Sequence, residues 1–227
     1  CLLLGHLASP SAYVPIDVST TFLQAACARV RAAHPEIAVV PIAADFTRPV
    51  RLPPPGRSRA TVVFFPGSTL GNFEVEEATK LLRSFATTAG PGGAVLLGVD
   101  LDKDAGTLER AYDDDEGVTA AFNRNLLERL ARDLDADVDP EAFAHRARYD
   151  RVHRRVELSL VACRATTIGL GALRFRFRPG EAIVTEYSHK YRLCDVVGMG
   201  ARAGLELCDA WYDPRGAMAL CLLRVAS

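Results

Sequence analysis

Apolar positions in the first hundred residues fall into short runs separated by longer stretches at helical spacing. Residues 13–18 form a β-rich run that closes on Asp17-Val18-Ser19. Residues 20–33 carry Phe22, Ala25, Ala26 and Val30 on one helical stripe, with Ser19 or Thr20 placed to cap it. Residues 37–43 repeat the strand pattern and run into Asp45-Phe46, and a proline-rich loop occupies 49–56. The continuous apolar run 60–65 predicts a strand buried on both faces. Residues 74–88 predict a helix, Gly90-Pro91-Gly92-Gly93 a turn, and 94–99 a second buried strand ending at Asp100.

This alternation predicts an α/β fold with a doubly wound, mostly parallel sheet. Ligands of such sheets sit beyond the carboxyl ends of the strands. The polar residues at that edge are Asp17, Asp45, the stretch from Gly67 to Asn72, and Asp100. After Asp100 the rhythm changes. Residues 108–112 and 118–134 are helical, whereas 156–164 and 173–177 alternate like antiparallel strands. The expectation is one domain from residues 1–100 and 192–227, with an inserted α+β substrate domain at 101–191. A helix at 194–203 and two closing strands complete the first domain. The last strand, 218–225, follows the turn Asp213-Pro214-Arg215-Gly216.

Composition narrows the picture. Half-hydrophobic content (49%) over 227 residues is ample for a core. A net charge of −1 gives no global field toward nucleic acid or an anionic membrane. Arg174, Arg176 and Arg178 alternate with Leu173, Phe175 and Phe177, which reads as the wet face of a strand. The cysteines (Cys1, Cys27, Cys163, Cys194, Cys208 and Cys221) show neither C-x-x-C nor zinc-ligand spacing. Most lie in apolar runs, as buried free thiols do, and this predicts a reducing, cytoplasmic setting. The opening Cys1-Leu2-Leu3-Leu4-Gly5 is too short for a membrane span and lacks a basic region before it. It reads as the tail of a helix begun upstream, so the chain is expected to lack an N-terminal part.

Several residues carry chemistry. Asp17 can accept both hydroxyls of a ribose, in an adenosyl or a nicotinamide cofactor alike, or it can simply close a strand-end turn. Asp45 can accept from an adenine amino group. Phe65-Pro66-Gly67-Ser68-Thr69-Leu70-Gly71-Asn72-Phe73 links a strand to a helix. Its glycines permit close backbone approach, and no lysine follows to make a P-loop. Asn72 is either a ligand-facing amide or the helix N-cap. In Thr185-Glu186-Tyr187-Ser188-His189-Lys190-Tyr191, Glu186 and Ser188 share one strand face. Such a pair could hold both nitrogens of an imidazole, or form an exposed polar strand end. Tyr112 precedes the acidic run Asp113-Asp114-Asp115-Glu116, either a solvated helix start or, more sharply, a metal site. The histidines form no ligand cluster.

Taken together, these runs resemble the histidine Nα-methyltransferases of ergothioneine biosynthesis. The resemblance is carried by Tyr13 to Ser19, Ala44-Asp45-Phe46-Thr47, Phe65 to Phe73, Gly98-Val99-Asp100-Leu101, Ala111-Tyr112, Gly117 to Asn123, Thr185 to Tyr191 and Asp213 to Gly216, in order along nearly the whole chain. It implies a class I methyltransferase-like fold, S-adenosylmethionine as cofactor, L-histidine as substrate and the trimethylated betaine hercynine as product. It also implies site roles. Asp17 would bind the cofactor ribose, and Asp45 and Phe46 its adenine. Asn72 and Tyr112, the implied catalytic pair, would clamp the substrate carboxylate, with Gly67 lining the pocket. Thr119 and Phe122 would shape the amine site, and Glu186 and Ser188 would read the imidazole. No metal is implied, and the partner is a small molecule bound by a monomer.

The chain departs from the family pattern in places. The glycine-rich first strand and loop that cradle the cofactor's methionine part would lie upstream of Cys1, leaving a gap in the sheet. Tyr187 stands where Asn is common, His189 where Tyr is usual, and Leu158 where Met often lines the ring pocket. The rival readings are methylation of another amino acid such as a tryptophan derivative, a nicotinamide oxidoreductase, and a non-catalytic binding remnant.

Overall fold

Two of the expected strands are each divided by a proline. The structure, a computed structural model, describes residues 2–48, 50–53 and 60–226. After a short helix α1 (Leu2–His6), the first run becomes β1 (Ala12–Tyr13) and β2 (Ile16–Asp17), broken at Val14-Pro15. Helix α2 (Thr20–Ala33) follows. The next run becomes β3 (Ala38–Val39) and β4 (Ile42–Ala43), broken at Val40-Pro41. Proline has no N–H to give a ladder. The two breaks are matched, so β1 pairs in parallel with β3 and β2 with β4. Of the expected proline-rich loop, Pro49 and residues 54–56 lie outside the described residues.

The next elements are β5 (Val62–Phe65), a 3₁₀ turn (Thr69–Asn72), α3 (Val75–Ala89) and β6 (Ala94–Asp100). Then come α4 (Ala105–Tyr112), α5 (Val118–Leu134), β7 (Phe143–Asp150), β8 (Arg155–Ala162), β9 (Thr166–Leu170), β10 (Leu173–Phe177) and β11 (Ala182–His189). Helix α6 (Leu193–Arg202), β12 (Leu205–Tyr212) and β13 (Met218–Val225) close the chain. One sheet has the order β12-β13-β6-β5, parallel at β5–β6 and antiparallel at both β13 pairings. The order β11-β8-β7 makes an antiparallel sheet, and β9–β10 a hairpin. This is the α/β class expected, with parallel pairs and a terminal antiparallel pair.

Helices α3 and α6 bury Leu81, Leu82, Phe85, Val196 and Met199 against Val95, Leu97, Val99, Cys221 and Leu223 of the sheet. A second core joins Leu127 of α5 to Phe143, Leu160, Ala162 and Ile168. A third joins Leu108, Val156 and Leu158, with Tyr112 packed against them.

Four expectations need correction. Strand β5 is not buried on both faces: Val63 and Phe65 pack on the core, but Val62 and Phe64 are 54% and 46% exposed. Among the described residues β5 pairs only with β6, at one edge of the sheet. Cys27 and Cys221 are buried, whereas Cys163, Cys194 and Cys208 are exposed, because an apolar run does not say which face a thiol takes. Strands β7 and β9 were not expected, since neither is an apolar run. In β10, Arg174 and Arg176 are exposed as expected, but so are Leu173 and Phe175 opposite them. No described helix is long and apolar enough to cross a membrane.

Candidate functional site

The edge formed by β2 and β4 carries two carboxylates. Asp17 ends β2 and is exposed; its Oδ1 accepts from the Ser19 N–H at 2.8 Å, which makes the strand-end turn real. Its backbone carbonyl accepts from Ala44 at 3.1 Å, so the two strand ends stay in step. Asp45 Oδ1 accepts from the Thr47 hydroxyl at 2.6 Å and the Thr47 N–H at 2.9 Å. These bonds hold its carboxyl below the usual range. The Phe46 ring packs edge-on against Phe65 at 5.4 Å, and Phe65 against Phe85 at 4.9 Å, so that ring is committed to the core.

The turn after β5 is built by backbone conformation. Gly67 (φ 77°) and Ser68 (φ 58°) are both left-handed. A Cβ on Gly67 would meet nothing, so glycine serves conformation there rather than close approach. Ser68 Oγ accepts from the Asp100 N–H at 2.8 Å, tying the end of β6 to this turn. Asn72 is exposed at the end of the 3₁₀ turn. It is not the cap of α3: Phe73 is extended, and the cap is Glu74, whose N–H donates to Glu77 at 3.3 Å.

Strand β11 sorts its polar residues by alternation. Tyr187, His189 and Tyr191 face one way. His189 Nδ1 donates to the Gly71 carbonyl at 3.0 Å and the Tyr191 hydroxyl to the Leu70 carbonyl at 3.1 Å, clamping the 3₁₀ turn. Tyr187 lies under the Arg155 guanidinium at 3.6 Å. Two of the departures from the family pattern therefore sit on the face away from Glu186 and Ser188. The third, Leu158, is buried and stands opposite Glu186 in the sheet register.

On the other face, Ser188 Oγ lies 2.8 Å from the Tyr112 hydroxyl. Lys190 Nζ donates to both, at 2.7 Å and 2.8 Å, and pairs with Asp100 Oδ2 at 2.9 Å. The Lys190 side chain is fully buried. This excludes an exposed polar strand end. Glu186 is half-buried, and burial pushes its carboxyl up against the opposing pull of Lys190.

Tyr112 is also held by its backbone. His145 Nε2 donates to the Tyr112 carbonyl at 2.8 Å. Asn123 Nδ2 donates to His145 Nδ1 at 2.9 Å and shares its protons with the Ser159 carbonyl at 3.3 Å, which fixes the His145 tautomer. In the acidic run, Asp114 accepts from the Val118 and Thr119 N–H groups at 2.8 Å and 2.9 Å, so it caps α5. The Thr119 hydroxyl and these N–H groups lower its pKa to about 2. Phe122, one turn on, is 68% exposed. No three or more His, Cys, Asp or Glu residues are grouped to hold a metal among the described residues.

The structure thus brings Tyr112 and Ser188 into contact, with Glu186 on the same face. Thr119 and Phe122 share α5, Gly67 and Asn72 share the turn, and Asp17 and Asp45 share the β2–β4 edge. Sequence reasoning missed Lys190, Asp100 as its partner, and His145. The signal for Lys190 was present, two residues beyond Ser188 on the same alternation.

Residues 1–225 match a family described as histidine-specific methyltransferase, SAM-dependent. The Histidine N-alpha-methyltransferase of Mycolicibacterium smegmatis is 40% identical over 213 residues, covering 92% of this chain and 65% of that protein. The protein of the same name from Mycobacterium tuberculosis is 38% identical over 221 residues, covering 96% and 68%. The chain therefore spans about two thirds of the length of these relatives. Among solved structures, an S-adenosylmethionine-dependent methyltransferase from Clostridium acetobutylicum aligns with a TM-score of 0.51 at 10% identity, covering 94% of this chain and 75% of that one. At that identity the likeness is one of fold.

Proposed function

We propose that this chain, which belongs to the S-adenosylmethionine-dependent, histidine-specific methyltransferase family, serves an enzyme that methylates the α-amino group of L-histidine. The product is hercynine, and the reaction opens ergothioneine biosynthesis. The observation that carries this reading is Glu186 and Ser188 on one face of β11, half-buried and buried, where a carboxylate and a hydroxyl can meet the two nitrogens of an imidazole. A site built from buried polar partners rejects side chains that leave them unpaired.

Bound S-adenosylmethionine supplies a methyl group on a sulfonium. The donor set suits its adenosyl part: Asp17 and Asp45 lie at the ends of adjacent parallel strands, and the turn at Asp17 uses only one of its carboxylate oxygens. Asp45 and the Phe46 backbone take the adenine, and Gly67 lines the substrate pocket. Asn72 offers amide donors to the substrate carboxylate. Tyr112 joins it there, its hydroxyl held in place by Ser188 and Lys190. Thr119 and Phe122 border the amine, and aromatic walls suit a product that becomes a fixed cation. The residues act chiefly by positioning a neutral amine, which supplies much of the barrier reduction. The same reading takes the protein as a cytoplasmic monomer whose partners are small molecules, not nucleic acid or membrane.

The test is methyl transfer by the protein of the complete reading frame, offered histidine and tryptophan in competition. Preference for histidine that collapses in Glu186→Ala supports the reading. Preference for tryptophan, or indifference to Glu186→Ala, overturns it.

A further inference from the structure

Strand β11 does not keep one register along its length. Ala182, Ile183 and Val184 stand opposite Val161, Leu160 and Ser159, and the next pair is Glu186 opposite Leu158. Thr185 is therefore an extra residue between two consecutive positions of β8. This is a β-bulge, which bends the strand that carries it and adds local twist. Strand β8 runs without such a break against β7.

The bulge decides which way the polar residues face. Side chains alternate along a strand, and directly opposed residues share a face. Leu160, Leu158 and Val156 are buried and lie on one face of β8. Their partners on β11 are Ile183, Glu186 and Ser188. Ile183 packs against the second core, which holds Leu160. In an unbroken strand Ile183 would share its face with Thr185, Tyr187 and His189. Glu186 and Ser188 would then lie on the opposite face with the exposed Val184. The extra residue takes up that half-period. One strand thus serves the core at Ile183 and the site at Glu186 and Ser188. Thr185 also fastens the bulge: its hydroxyl donates to the carbonyl of Leu158, the residue opposite Glu186, at 3.1 Å. Its β-branched side chain has few χ1 choices.

We infer that Thr185 is a positioning residue: the bulge it forms and fastens sets the angle at which the Glu186 carboxylate leaves β11, and so tunes the preference for a nitrogen-bearing ring. It acts through Glu186, the next residue, whose backbone the bulge bends. The inference rests on the reading of β11 given under the proposed function.

Three changes in the protein of the complete reading frame test it. Thr185→Val keeps the branched shape and removes the hydroxyl. Thr185→Ser keeps the hydroxyl. Deletion of Thr185 leaves Val184 opposite Ser159 and Glu186 opposite Leu158 in a regular ladder, so both halves of the strand keep their faces and only the bulge is lost. Each protein is melted, and calorimetry compares its binding of histidine and phenylalanine, which keeps the amine and carboxylate and lacks the ring nitrogens. Thr185→Val and the deletion should each cut the preference for histidine about 10-fold, and Thr185→Ser should stay within about 3-fold of wild type. A role in stability alone would lower melting and leave the preference unchanged. An unchanged preference in Thr185→Val or in a folded deletion protein therefore overturns the inference, as does a Thr185→Ser no better than Thr185→Val. The two substitutions decide the matter if the deletion protein does not fold. Glu186→Ala separates the inference from the reading beneath it. If wild type shows no preference, or Glu186→Ala keeps it, the ring reading falls and the inference with it. If Glu186→Ala loses the preference while Thr185→Val keeps it, the inference alone falls.

Discussion

The Gly71 and His189 backbones touch: a Cβ on Gly71 would stand 2.8 Å from the His189 carbonyl oxygen and 3.3 Å from its nitrogen. The His189 ring closes the same contact with its bond to the Gly71 carbonyl at 3.0 Å. This joins the turn that carries Asn72 to the strand that carries Glu186 and Ser188. Gly71→Ala should force the two segments apart, lowering stability by about 1–3 kcal/mol. Thermal melting measures it. Histidine affinity should fall alongside, because Asn72 moves relative to Glu186.

Burial raises the Glu186 carboxyl above its ordinary pKa, so the folded chain favours the protonated acid. A folded pKa above the unfolded one means that the charge destabilises at neutral pH and ceases to do so as pH falls through the raised value. Glu186→Gln should melt no lower than wild type at neutral pH, and any advantage should shrink in acid. The same variant should lose most histidine binding. Melting curves across pH, with binding at neutral pH, separate the two effects.

Asp114 shows the opposite sign. Its folded pKa is lowered from 3.8 to about 2 by the Thr119 and Val118 bonds that cap α5. The stabilisation is present above the unfolded value and lost as pH falls through the folded one. Asp114→Ala should melt lower than wild type at neutral pH, and the gap should close between about pH 4 and pH 2. A gap independent of pH would mean that the carboxylate is not the cap.

Asn123 is buried and spends its amide on His145 and the Ser159 carbonyl. Asn123→Ala should cost about 1–3 kcal/mol by leaving both unpaired. It should also raise the histidine KM more than it lowers kcat, since His145 holds the backbone of Tyr112. Melting and steady-state kinetics check the two parts.

Much of this was legible in the sequence. Helical and strand periodicity placed α2, α5, β10 and β13 to the residue, because long amphipathic stretches and strands bounded by glycine leave little choice. Pro15 and Pro41 mark both strand breaks in the sequence, having no N–H for the ladder, whereas the exposed face of β5 is set by tertiary packing that no local pattern carries. At the site, Glu186 and Ser188 were found by period-two alternation. Lys190 was passed over because a lysine is ordinarily a surface residue, and only the tertiary partners Asp100 and Tyr112 make its burial tolerable. His145 lies on β7, a strand with no apolar run to reveal it.

The most direct test of the central claim is mass spectrometry of the reaction between the protein of the complete reading frame, L-histidine and S-adenosylmethionine. The account predicts mono-, di- and trimethylhistidine appearing in turn, with the trimethyl betaine at the end. An unchanged histidine pool from a protein that methylates another amine, or that binds a nicotinamide cofactor instead, would contradict it.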